Sequence, residues 1–377
     1  MSKTKFGLAL DLGTTTIKAA LVNLANGKIK RRTTIFNPQN CLGYDVMTRI
    51  NIALRGNYSK LRNLLLSGIN EVRELLKFPS GGPQAIVGNP VMLSFYLNQP
   101  VLELSRYPFR SEITEGRFLK NPSRYVFPII GGFVGGDTIA GILSSGIDQQ
   151  PGIFLYIDLG TNGEIALITK EKILALSAAA GPAFEGVGIS CGSLAVSGAI
   201  DRIIYKHGFR YQTIKKKKPI GICASGLIDL LAILTSLGWL KPNGRLIRKV
   251  ALPTPLTITQ SDIRKLQLAI SAIHTGVEIL LKKIGVVPEQ ITEAILTGEL
   301  GASLFRNSLI RIGLLPKGIK QLRFEKDLPL KGAIKVLIDK NAIKQVEAIK
   351  RKSEHIELAN EPDFSQLFIA NLRLAPW

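Results

Sequence analysis

Two short strings constrain most strongly what this chain of 377 residues can fold into. Phe6–Leu10 is an apolar run followed by DLGTTT (Asp11–Thr16). Ile153–Ile157 is a second apolar run followed by DLGTNG (Asp158–Gly163), 147 residues further on. Repetition over that distance points to a duplicated fold, not to a solenoid, whose periods run to ~20–50 residues. The segments after the two strings are similar in kind. After Thr16 come IKAALVNL, an Asn26-Gly27 turn and KIKRRTTIF; after Gly163 come EIALIT, a turn at Lys170-Glu171 and KILALS. Both read as strand, turn, strand. Gln84–Leu97 (QAIVGNPVMLSFYL) and Thr292–Phe305 (TEAILTGELGASLF) then share an apolar strand, a Gly-containing turn and a helix-like stretch. The expectation is an α/β architecture of two similar lobes with a ligand cleft between them. The lobes are expected over residues 1–147 and 148–377, the second carrying a C-terminal extension.

Composition removes several classes of function. Apolar residues make up 46% of the chain, which excludes wholesale disorder. Val126–Ile147 and Gly221–Leu240 are long and apolar, but Asp137 and Asp229 interrupt them, so both read as buried segments rather than membrane spans. The first apolar run is short and broken by Asp11 before any cleavage site, which leads to the expectation of a cytoplasmic protein with no membrane partner. Cys41, Cys191 and Cys223 are widely scattered, and none of the three His is paired with another. That spacing gives neither a disulfide framework nor a metal site, so no iron–sulfur cluster is expected in this chain. With 49 Lys+Arg against 28 Asp+Glu the net charge is +21, concentrated in Lys206–Lys218, Lys241–Lys249 and Lys317–Lys352. Without a nucleic-acid recognition motif, these clusters read as solvated faces or as a docking surface for an acidic protein, and no nucleic-acid partner is expected.

The repeated strings have a chemistry of their own. A Gly after a strand lets the backbone turn tightly, so that successive amides can surround phosphate oxygens. In the first string Gly13, Thr14, Thr15 and Thr16 supply the turn and its hydroxyls, and Asp11 suits a hydrated Mg²⁺ ion. In the second, Gly160, Thr161, Asn162, Gly163 and Glu164 come after Asp158, the equivalent metal candidate. One such string arises at ordinary hairpins. Two in matched contexts point to a phosphate clamp.

With these loops the sequence resembles the superfamily of acetate and sugar kinases, heat-shock chaperones and actin. The resemblance implies two duplicated ribonuclease-H-like lobes, the actin-like ATPase fold, with the nucleotide in the cleft. It makes Asp11–Thr16 and Asp158–Glu164 the phosphate loops, and LTGELGA (Leu296–Ala302) an adenosine-facing turn with Gly298 and Gly301 allowing close approach. It also makes Asp137, within GGFVGGDTIAG (Gly131–Gly141), the candidate that orients an attacking water. By residue type alone, Asp137 reads equally as the cap of a helix beginning near Thr138.

A narrower resemblance rests on NPQNCLGYDVMTRI (Asn37–Ile50), VGNPVM (Val87–Met92), YPF (Tyr107–Phe109), GPAFEG (Gly181–Gly186), CGSLAVSGAI (Cys191–Ile200), GICASGLID (Gly221–Asp229), DIRKLQLA (Asp262–Ala269) and IGLLP (Ile312–Pro316). These motifs resemble the ATPase region of the reductive activators of corrinoid proteins. That family uses Mg²⁺ and ATP to support electron transfer from a [2Fe–2S] centre to a cobalt(II) corrinoid protein of a methyltransferase system, restoring cobalt(I). The family's ferredoxin-like domain has no counterpart in this sequence, so a separate ferredoxin-like donor is expected; a homodimer is left open. Three other readings stay open. They are a small-molecule kinase, a nucleotide-sensing interaction protein without useful turnover, and an activator of the 2-hydroxyacyl-CoA dehydratase type, for which only Cys191 lies in a suitable Gly-rich segment.

Overall fold

A computed structural model describes residues 5–121, 123–250, 252, 255–298 and 304–377. The first part of the chain forms β1 (Phe6–Leu12), β2 (Thr16–Asn23), β3 (Ile29–Phe36), α1 (Val46–Ile52), α2 (Tyr58–Leu76), β4 (Gln84–Gly88), α3 (Pro90–Leu97), β5 (Arg117–Leu119), β6 (Arg124–Val126) and α4 (Gly136–Ser145). Then come β7 (Ile153–Leu159), β8 (Gly163–Ile168), β9 (Ile173–Ala178), β10 (Ala199–Tyr205), β11 (Phe209–Thr213), β12 (Gly221–Ile222), α5 (Ala224–Ser236), α6 (Gln260–Ile284) and β13 (Ile291–Gly298). The remainder is α7 (Arg306–Arg311), β14 (Gln321–Phe324), α8 (Leu328–Ile338), α9 (Ala342–Lys352), β15 (Ser353–His355) and α10 (Phe364–Ala370). Two compact units result: Met1–Pro151 with Ile168–Leu176 and Asp327–Glu357, and Gly152–Leu167 with Ser177–Lys326 and Leu358–Trp377. Beyond residue 151, then, the chain returns to the first unit twice.

The duplication is visible in strand order. One six-stranded sheet runs β3-β2-β1-β4-β6-β5 and another runs β14-β13-β7-β8-β9-β15. Five consecutive strands correspond: β3-β2-β1-β4-β6 matches β9-β8-β7-β13-β14. The correspondence extends to direction, since β4 lies parallel to β1 and β13 parallel to β7. Strands flanked on both sides in this way read as continuous apolar runs, which is why FGLALDL and IFLYIDL are buried almost throughout. The expected hairpin between β2 and β3 turns at Gly27, whose φ of 69° is in the left-handed region that favours glycine. A separate three-stranded sheet, β11-β10-β12, has no counterpart among the described residues of the first half.

The two long apolar stretches end up as short buried helices, α4 and α5, and no helix among the described residues is long and apolar enough to cross a membrane. In the first unit α8 packs on α4 so closely that a Cβ at Gly332 would lie 2.7 Å from the Ala140 Cα. At the start of α8 Asp327 bonds Lys18 on β2 at 2.9 Å and Arg32 on β3 at 2.5 Å. Burial alone would raise the Asp327 carboxyl, but Lys18 and then Arg32 outweigh it and hold it below the ordinary carboxylate range. Lys18 matters more, because the Arg32 side chain is 39% exposed and therefore screened.

A depressed folded-state value stabilises the fold above about pH 4, and that stability is lost as the pH falls through the folded value. Asp327→Asn is therefore expected to lose roughly 2 kcal/mol at neutral pH. Urea midpoints of variant and parent should converge as the pH is lowered to 3. A gap that stays constant with pH would contradict the ion pair's contribution.

Candidate functional site

Asp11, the penultimate residue of β1, is buried and lies in parallel register with Val87 of β4; Leu12 lies opposite Gly88. The turn after it closes with the Gly13 amide donating to the Thr16 carbonyl at 3.0 Å. A Cβ at Gly13 would sit 2.7 Å from that same oxygen, so only glycine fits. The next carbonyls are all held from one side. Gly13 O accepts from Asn37 Nδ2 at 2.9 Å, Thr14 O from Arg49 Nη2 at 2.8 Å, and Thr15 O from the Asn37 amide at 2.9 Å and from Asn40 Nδ2 at 3.0 Å. A trans peptide is planar, so each carbonyl fixes the following amide in the opposite direction. The N–H groups of Thr14, Thr15 and Thr16 consequently point away from these tethers, the arrangement from which backbone anion sites are made.

The tethering residues are themselves fixed. Asn37 caps the short turn at Pro38–Cys41, and Asp45 caps α1, accepting from the Thr48 amide at 2.8 Å. Arg49 is wholly buried, and desolvation pulls its guanidinium down to about 10 despite nearby Asp45 and Cys41. At the end of β4, Asn89 donates from Nδ2 to Thr14 Oγ1 at 2.9 Å while its Oδ1 accepts from the Met92 amide at 3.0 Å, capping α3. One residue thus ties the helix start to the loop.

Asp137 approaches the same strand ends. The backbone at Gly135 packs on β4, so that a Cβ there would lie 2.5 Å from Gly88 O and 2.7 Å from Asp137 Oδ1. The Gly135-Gly136 pair thus lets the start of α4 close on the loop after β4. Helix α4 is capped by Gly135, so Asp137 lies within the first turn and is not the capping residue. Its Oδ1 accepts from the Thr138 amide at 2.8 Å. The neighbouring Thr138 Oγ1 is buried with no hydrogen-bond partner.

The second loop has the same plan with different supports. Asp158 ends the apolar part of β7 and pairs in parallel with Thr297 of β13, while Leu159 pairs with Gly298. The Gly160 amide donates to Asn162 O at 3.1 Å. Thr161 Oγ1 donates at 2.8 Å to Glu185, a buried carboxylate within Gly181–Gly186. Ser177 Oγ reaches Glu164 Oε1 at 3.4 Å. Gly163 is pressed against Ile273 of α6, and Gly298, at φ 116°, lies where a Cβ would be 3.2 Å from Asp158 Oδ1. The structure thus brings Gly298 to the second loop. Its expected companion Gly301 lies outside the described residues.

Elsewhere in the second unit a cavity of about 800 Å³ is lined by Lys215, Lys216, Lys326, Asp201 and Tyr211, among others. Lys215 and Lys216 both hold left-handed φ values, 58° and 52°. Cys191 and Cys223 are buried; desolvation, and then Asp262, pushes Cys191 up to about 12, and burial also raises Cys223, so neither thiol ionises near neutrality. Cys41 is exposed. Among the described residues no group of three or more His, Cys, Asp or Glu is placed to hold a metal ion directly.

The two DLGT glycines differ in constraint. A Cβ at Gly160 would come no closer than 3.4 Å to Asn162 O. Gly13→Ala is therefore expected to cost about 1–3 kcal/mol through overpacking, and Gly160→Ala under 1 kcal/mol. Thermal unfolding of the two variants checks this; equal losses would contradict it.

Two family models match this chain, one described as the RACo middle region over residues 6–150 and one as the C-terminal, ASKHA domain of RACo over residues 152–376. The chain is similar to the corrinoid activation enzyme RamQ of Eubacterium limosum, at 30% identity over 97% of this chain and 70% of that protein. It is similar also to a Co(II) methylated amine-specific corrinoid protein reductase of Methanosarcina barkeri, at 27% identity over 97% of this chain and 76% of that one. Among solved structures, a reductive activator for a corrinoid, iron–sulfur protein matches with a TM-score of 0.89 at 30% identity, covering 100% of this chain and 67% of the other.

Proposed function

Because the chain belongs to the RACo family, the reductive activators of corrinoid proteins, we propose that it binds and hydrolyses Mg-ATP to support reduction of a partner's cobalt(II) corrinoid to cobalt(I). The observation that carries this reading is the first DLGT turn, whose carbonyls are tied back so that its amides face one way. Such a turn suits an oligophosphate. The equivalent turn after β7 belongs to the same repeat, and each is placed at the carboxyl end of parallel strands, where α/β folds take their ligands.

In this reading Asp11 and Asp158 hold the waters of a hydrated Mg²⁺, an ion that when bound offsets the negative charge of the phosphates. The amides and hydroxyls of Thr14, Thr15 and Thr16 receive phosphate oxygens in one unit; Gly160, Thr161, Asn162, Gly163 and Glu164 do so in the other. Gly298, with Gly301, allows close approach of the adenosine. Asp137 accepts a hydrogen bond from the attacking water and orients it toward the terminal phosphorus; phosphate leaves and ADP remains. Phosphoryl transfer asks mainly for positioning and charge, and these residues supply both.

The electron has a different origin. One electron passes from a separate reduced iron–sulfur protein to cobalt(II) on the corrinoid partner, giving cobalt(I). The buried, un-ionised thiols at Cys191 and Cys223 support a donor outside this chain. The lysines around the second unit's cavity suit the encounter with an acidic partner, raising association rates in low salt.

Two measurements test this reading. Spectra of a cobalt(II) corrinoid protein should show cobalt(I) when this protein, Mg-ATP and reduced ferredoxin are all present, and not when any is omitted. Asp137→Asn should bind Mg-ATP nearly as the parent does yet hydrolyse it ~10²–10⁴-fold more slowly, the range for losing a general base. Undiminished turnover would return Asp137 to helix stabilisation. Absence of turnover in the parent, with a corrinoid protein present, would favour a nucleotide sensor.

A further inference from the structure

The first loop rests on a buried cation whose direct hydrogen-bond partners include no acid. Arg49, at 0% exposure, donates from Nε to Gly43 O at 2.8 Å, from Nη1 to Gln39 Oε1 at 2.9 Å, and from Nη2 to Thr14 O at 2.8 Å and Asn40 Oδ1 at 2.7 Å. Each of these acceptors is neutral. Asp45, the nearby carboxylate, is occupied at the start of α1 by the Thr48 amide and hydroxyl, at 2.8 and 2.7 Å. No ion pair to Arg49 occurs among the described residues. A guanidinium stays charged at neutral pH, so a positive charge stands in a dry site with neutral hydrogen-bond partners and with Asp45 near but not paired to it. The Thr14 carbonyl that it holds belongs to the peptide whose amide, that of Thr15, points to the opposite face.

We propose that Arg49 is a positioning residue that acts through this peptide, its charge answering the phosphate chain on the far side of the first loop. The proposal rests on the nucleotide reading above. The fork of Arg49 fixes the turn through Thr14 and Asn40. Its charge polarises the Thr14–Thr15 peptide and strengthens the Thr15 amide as a donor. Arg49 touches no ligand itself. A strut and a counter-charge differ in what they do to ligands of different charge, and in what a lysine does in the same place.

The test uses the full chain and isothermal titration with Mg-ATP, Mg-ADP and adenosine. Arg49→Met should weaken Mg-ATP on the order of tenfold or more, Mg-ADP by a smaller factor, and adenosine not at all. Arg49→Lys keeps a charge but loses the fork, so its Mg-ATP affinity should lie between those of Arg49→Met and the parent. A buried ammonium sheds its proton far more readily than a guanidinium. Affinity of Arg49→Lys for Mg-ATP should therefore fall between pH 7 and 9, with proton uptake on binding seen in buffers of different ionisation heat. The titratable groups facing position 49 are Asp45 and Cys41; both are present in the parent, whose profile gives their contribution. The lysine arm stands alone if Arg49→Met does not fold. The proposal is overturned if Arg49→Lys binds Mg-ATP with the parent's pH profile and no proton uptake, or if Arg49→Met loses adenosine in step with Mg-ATP. A parent that does not bind Mg-ATP overturns the nucleotide reading, and this proposal with it.

Discussion

A planar peptide cannot aim its carbonyl and its following amide in the same direction, and the first DLGT turn depends on that constraint. Asn37, Asn40 and Arg49 hold the carbonyls of Gly13, Thr14 and Thr15 from one side. The three following amides are thereby set toward the other. No residue of the turn has to be rigid in itself. The stiffness comes from α1 and the Pro38–Cys41 turn, which carry the donors, and from Asn89, which joins the start of α3 to Thr14. A loop prepared in this way loses little conformational freedom on meeting an anion, which is the advantage of donors fixed before the ligand arrives.

Duplication has kept the framework and changed the supports. Both halves place an Asp at the end of a buried strand with a parallel neighbour beside it. In the first, the neighbour ends in Gly88 and is followed by Asn89, on both of which the start of α4 packs. In the second it ends in Thr297 and Gly298, with Glu185 reaching Thr161. One loop is held by amides and a buried cation, the other receives a carboxylate.

Much of the fold is legible in the chain itself. The repeat of apolar run and DLGT predicts matching strand orders, and the order β3-β2-β1-β4-β6 against β9-β8-β7-β13-β14 bears that out. Membership of the corrinoid-activator family is readable from the ordered motifs between Asn37 and Pro316, because each short string needs its own residues. The tethers are not readable as tethers. Asn37, Asn40 and Arg49 lie 22 to 35 residues from the carbonyls they hold, and Asn89 lies 75 residues from Thr14. Periodicity reports the face a residue occupies, and it says nothing of a partner at that separation. Asp137 is ambiguous for a different reason. Gly135 and Asp137 both suit a helix start, and only the backbone decides that Gly135 is the cap. The return of β15 to pair with β9, across about 180 residues, leaves no local mark either.

In the proposed function the two DLGT turns act as phosphate and magnesium grips. Titration of Mg-ATP and of metal-free ATP into Asp11→Ala and Asp158→Ala, beside the parent, tests this most directly. Each substitution removes one carboxylate available to a hydrated ion. The predicted result is that both variants lose most of the parent's Mg²⁺-dependent gain in affinity while remaining folded. Both variants binding Mg-ATP as tightly as the parent would contradict it.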